Sequence, residues 1–196
     1  MSDKPNNTNH GPDSLNEIPS VDWLALERNR DKFFKDLRYA LEECGFLILT
    51  NAPGFEDEFQ QRAFTEVRKF FDSPMDFKQA SSIANSPYVR GYSSPRPPDS
   101  GRAQVIESFQ YGFDEAPLCA HDDESQPIHE RFFRGPNTWP DSERLPGFKP
   151  TLNELNSAYH RLTLQLGELI VESLGEDPAE FRQYFNLDEP YLFASL

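Results

Sequence analysis

Apolar residues along this chain group into helical stripes and short runs, separated by polar stretches. Phe33, Leu37, Ala40, Leu41 and Cys44 recur at steps of three and four. That spacing predicts an amphipathic helix over about 29–43, with Gly45 placed to end it in a left-handed conformation. Phe46 to Thr50 is a continuous apolar run before the Asn51-Ala52-Pro53-Gly54 turn, and predicts a buried strand. A second helix is expected over about 55–71, its inner face built by Phe59, Ala63, Val67, Phe70 and Phe71. Ser73-Pro74 then starts a short helical turn, with Ser as cap and Pro at the first position.

Residues 81–150 are rich in Pro, Gly and Ser, and two strand-like pieces stand out, over 89–93 and 105–113. Residues 116–126 read as an acidic loop. Thr151-Leu152-Asn153-Glu154 has the form of a capping box. Leu152, Leu155, Tyr159, Leu162, Leu166 and Leu169 come next at helical steps, which predicts a long helix over 151–174 stopped by Gly175. Asp177-Pro178-Ala179-Glu180 starts another short helix. The segment from Pro190 to Leu196 is apolar and strand-like, as expected of a chain cut where a strand begins. Ile18-Pro19-Ser20-Val21-Asp22 is a short extended segment. The fold class expected is α+β, with helices packed on a few strands.

Met1 to Glu17 has almost no apolar content and lacks the features of a signal or transit peptide. It reads as a disordered tail (1–17) on a cytoplasmic protein. Hydrophobic residues make up 37%, too many for a wholly disordered chain, and no run approaches a membrane span. The formal net charge of -14 repels phosphate backbones and anionic lipid, which argues against nucleic acid and membrane surfaces as partners. Of the two cysteines, Cys44 is expected as a small core residue and Cys119 in a polar loop. They form neither a disulfide framework nor a zinc pattern.

Candidate chemistry is sparse. His121-Asp122-Asp123 contains a His-x-Asp, and His160 lies further along, so one carboxylate and two imidazoles of the right type for iron(II) are present. Their context is wrong, because His121 lies in the acidic loop and His160 inside an amphipathic helix next to Tyr159. A solvated loop His and a helix-surface His are expected. His129 and His10 have no partners at ligand spacing. Glu107 has no second carboxylate placed beside it for acid–base work and is expected to be a structural charge. Trp23 and Trp139 are expected as packing anchors. There is no Gly-rich phosphate loop, no Gly-x-Ser-x-Gly elbow and no Cys with a His partner at a recognisable spacing.

Several phrases occur in a telling order. After the opening Ile18-Pro19-Ser20-Val21-Asp22 come Cys44-Gly45-Phe46-Leu47-Ile48-Leu49-Thr50-Asn51, Arg90-Gly91-Tyr92 and Glu107-Ser108-Phe109. Gly135-Pro136-Asn137-Thr138-Trp139-Pro140 and Pro146-Gly147-Phe148 complete the series before the long helix. In this order the chain resembles the N-terminal region of the isopenicillin N synthase-like branch of non-haem iron(II), 2-oxoglutarate-dependent dioxygenases. The resemblance runs from Ile18 to Leu196. It departs at Asn51-Ala52-Pro53-Gly54, where many relatives carry Asn-His-Gly.

The resemblance implies the N-terminal part of a double-stranded β-helix (jelly-roll) fold, occupying 18–196 and truncated before the catalytic core. It implies iron held by a His-x-Asp pair and a distant His, and an Arg-x-Ser for 2-oxoglutarate, all beyond Leu196. The strand carrying Arg90 and Tyr92 would run beside the active-site mouth. A guanidinium with a phenol suits a carboxylate, so Arg90 and Tyr92 are the candidate substrate-binding residues. The complete enzyme is then an oxidoreductase acting on a small organic molecule. Its cofactors would be Fe(II) and 2-oxoglutarate, or Fe(II) alone if it is an oxidase. This chain alone is expected to bind neither and to be inactive, and a complementary chain carrying the jelly-roll core is a candidate partner. The alternatives are a short non-catalytic binding or regulatory module, or a truncated gene product.

Overall fold

The computed structural model describes residues 18–95, 106–184 and 191–196. The expected tail, the first residue of the 105–113 strand and Pro190 lie outside the described residues.

The first helix differs from expectation. α1 (Ala25–Arg28) stops at Asn29, whose backbone is extended and whose side chain accepts from Lys32 N at 3.1 Å to cap α2 (Arg30–Tyr39). The last turn, Ala40–Cys44, widens to a π-helix closed by Gly45 N donating to Ala40 O (2.9 Å), and Gly45 takes φ 77°. The wider turn shifts later side chains around the helix axis. Ala40 stays buried, but Leu41, expected on the inner face, is 37% exposed, and Cys44 is only half-buried.

β1 (Ser20–Asp22) and β2 (Ile48–Thr50) pair in parallel, with Val21 opposite Leu49. The run from Phe46 to Thr50 is therefore not a strand buried on both faces. β1 and β2 make a two-stranded ribbon covered on one side, so alternation decides burial. Leu47 and Leu49 pack beside Val21, Phe33, Leu37 and Leu169, while Phe46 (71%) and Ile48 (51%) are exposed.

α3 (Asp57–Phe71) buries Phe59, Ala63 and Phe70, as its spacing predicts, and also Glu66. α4 (Met75–Ala80) comes next. β3 (Gly91–Ser93) and β4 (Ser108–Gly112) pair antiparallel with Tyr92 opposite Phe109. β5 (Phe193–Ser195) lies on the other side of β4, with Ala194 opposite Tyr111. α5 (Ile128–Phe132) is a short helix the sequence pattern does not announce.

α6 (Phe148–Ser173) starts three residues before the expected capping box. Thr151 is buried within its first turn and donates from its backbone to Gly147 O at 3.1 Å. Pro150 is harmless there, because first-turn N–H groups have no helical partner. Phe148 is fully buried against Phe70 and Phe109, and its burial sets the start in place of the cap. Gly175 takes φ 84° past the far end. α7 (Pro178–Arg182) is capped by Asp177, whose side chain accepts from Ala179 N.

Two apolar clusters result. One joins α3, α6 and the three-stranded sheet through Phe70, Tyr92, Phe109, Tyr111, Phe148 and Leu152. The other joins α2, the parallel ribbon and the far half of α6. Asn156 on α6 is 1% exposed, and neither end of its amide has a hydrogen-bond partner. An unpaired buried polar group costs about 1–3 kcal/mol. Asn156→Leu is thus expected to raise unfolding stability by about 1–2 kcal/mol in a urea titration. A lower stability in the variant would show that the amide is satisfied in solution.

Candidate functional site

Arg90 and Tyr92 flank Gly91 at the start of β3. Gly91 has φ +127°, and a Cβ there would lie 2.4 Å from Ser81 O, so both backbone shape and space require glycine. The side chains on either side of it are fully buried and engage different partners.

Arg90 Nη2 donates to Phe133 O (2.6 Å) and Nη1 to Asn137 Oδ1 (3.3 Å), while Nε has no partner. Glu115 lies 3.9 Å from Nη2 and pairs more closely with Arg134, at 2.9 Å. Asn137 closes the cluster on β4, accepting from Gly112 N and donating to Gly112 O, both at 2.9 Å. A Cβ on Gly112 would fall 1.6 Å from Arg90 Nη1 and 2.2 Å from Leu192 O. The guanidinium therefore occupies the space a side chain at 112 would take. Burial pushes its pKa below the usual arginine range, against the pull of Tyr191 and Glu115.

Tyr92 donates its hydroxyl to Glu107 Oε2 at 2.6 Å. Lys78, almost fully buried, donates to the same oxygen at 2.7 Å and to Phe71 O at 2.9 Å. Burial, then the hydrogen bond to Glu107 and its charge, hold the Tyr92 phenol well above its ordinary pKa. Burial works against the Glu107 carboxylate, but the hydrogen bonds from Lys78 and Tyr92 outweigh it and hold the pKa below the usual range. Asp114 shows the same pattern. Burial opposes its charge, and Lys149 Nζ (2.7 Å), the Asn137 N–H and Trp139 Nε1 (both 3.1 Å) outweigh it.

These two carboxylates make the fold acid-sensitive. A folded-state pKa depressed below the unfolded value contributes stability above the unfolded pKa, about 4, and that contribution fades as pH falls through the folded pKa. Urea midpoints are expected to drop between neutral pH and about pH 3. Glu107→Gln is expected to start lower at neutral pH and lose less on acidification. An equally steep fall in the variant would mean Glu107 takes no part.

Lys78, Glu115, Arg134 and Asn137 are absent from the candidates the sequence supplies. Asn137 had a signal in the Gly135-Pro136-Asn137 phrase. Lys78 had none, because its partner Glu107 lies on a distant segment. His160 stands edge-on to Phe113, and His121 uses its backbone carbonyl to accept from Arg131. Among the described residues, no three His, Cys, Asp or Glu side chains converge as metal ligands. They do not fit an iron site.

Hollows between the described residues open on the α6 side. One, about 1010 Å³, lies between the β2 turn and α6, lined by Leu49, Asn51, Phe55, Tyr159 and Leu162 among others. Another, about 540 Å³, lies between α3, α6 and β5. Neither is lined by Arg90 or Tyr92. No helix among the described residues is long and apolar enough to cross a membrane.

Helices α3 and α6 stacked on a small antiparallel sheet define part of an iron(II)/2-oxoglutarate oxygenase fold. A putative 2OG-Fe(II) oxygenase family protein from Caulobacter crescentus superposes with a TM-score of 0.67 at 19% identity, over 88% of this chain and 53% of that one. A full-length Neurospora crassa enzyme crystallised with alpha-KG gives 0.65 at 23% identity, over 87% and 51%. The chain belongs to the family described as non-haem dioxygenase in morphine synthesis N-terminal, whose model matches residues 18–142.

Among curated relatives, a 2-oxoglutarate-dependent dioxygenase (frbJ) of Dothideomycetidae sp. is 27% identical over 188 residues, 91% of this chain and 47% of the relative. Another (citB), of Monascus ruber, is 30% identical over 177 residues, 85% and 51%. The chain spans about half the length of the relatives it matches.

Proposed function

We propose that this chain, over residues 18–196, is the N-terminal domain of a cytoplasmic iron(II)/2-oxoglutarate dioxygenase acting on a small organic molecule. The observation that carries the reading is the family match over 18–142, joined to a fold whose neighbours are 2OG-Fe(II) oxygenases. In this reading the chain supplies the substrate-side scaffold. Iron ligands come from a jelly-roll core outside these residues, and a complementary chain carrying that core is the partner. Arg90 and Tyr92 act on the substrate side as positioning residues. Both tie β3 at or near its start to groups from distant segments, and either would have to give up those bonds to touch substrate.

The test is consumption of 2-oxoglutarate under air with added Fe(II). The chain alone is expected to show none. Supplied with the second half of the Monascus ruber relative, it is expected to show iron-dependent consumption. Iron-dependent turnover by the chain by itself would sink the proposal.

A further inference from the structure

We draw no further inference here: the strongest candidate, the uncharged face of the three-stranded sheet that carries Ser93 of β3 with Ser108 and Gln110 of β4, where Gln110 Oε1 is buried without a hydrogen-bond partner, carries nothing because nothing in the structure shows what covers it.

Discussion

Phe70→Ala is expected to cost about 4 kcal/mol of unfolding free energy. Phe70 is fully buried and sits where three parts of the fold meet. Its ring stacks on Phe148 of α6 (centroids 4.9 Å), meets Phe109 of β4 edge-on (5.1 Å) and Tyr92 of β3 edge-on (5.8 Å). Its neighbours are rings held in turn by other rings, so they close poorly around a void, and the cavity adds to the lost transfer energy. Phe70→Leu keeps most of the volume and is expected to lose only about 1–2 kcal/mol. Denaturant titrations of both variants decide the matter. A loss below about 1 kcal/mol for alanine would mean that the cluster collapses around the gap.

Arg90→Ala is expected to lose about 3 kcal/mol, for a different reason. The buried guanidinium ties Phe133 O and Asn137 to the start of β3 and fills the space over Gly112. Removing it leaves a hole, an unpaired carbonyl and Glu115 with only Arg134 of its two arginines. Arg90→Lys is not expected to rescue, since one ammonium does not reproduce a planar fork that spans two acceptors. Arg90→Met is expected to recover at least half of the loss. The arginine carries an unpaired Nε and a desolvation penalty that methionine lacks. Equal losses for alanine and methionine would show that charge, not filled volume, holds this corner together.

The parts of the fold legible in the sequence are those that repeat along one element. Phe59, Ala63 and Phe70 announce α3, and Gly45 and Gly175 announce the left-handed ends of their helices. The parts that differ depend on groups from elsewhere in the chain. The capping box at Thr151 is locally sound, but Phe148 has a place in the aromatic cluster, and that burial moves the start of α6. Phe46 to Thr50 reads as buried on both faces because a run of apolar residues does not reveal how many strands will flank it. The π turn at Ala40–Cys44 has no residue signature. The site shows the same division. Arg90 and Tyr92 stand out by the phrase they share, but their burial and their partners become visible only once β4 and the 133–137 segment are in place. Lys78 and Glu107 are separated by 29 residues in sequence and share one hydrogen bond. No local pattern encodes such a pair.

The pairing of β4 with β5 also has a consequence in time. Gln110 lies opposite Ser195, and the whole of α6 is made between them. On the ribosome, β3 and β4 emerge with one side of β4 unpaired, and it stays so while α6 and α7 are synthesised. Closing so long a loop is slow compared with forming a helix. The nascent chain therefore passes through a stage in which α3 and α6 can already pack while β4 waits for its neighbour. In that interval a chaperone that shields strand edges would have most to do.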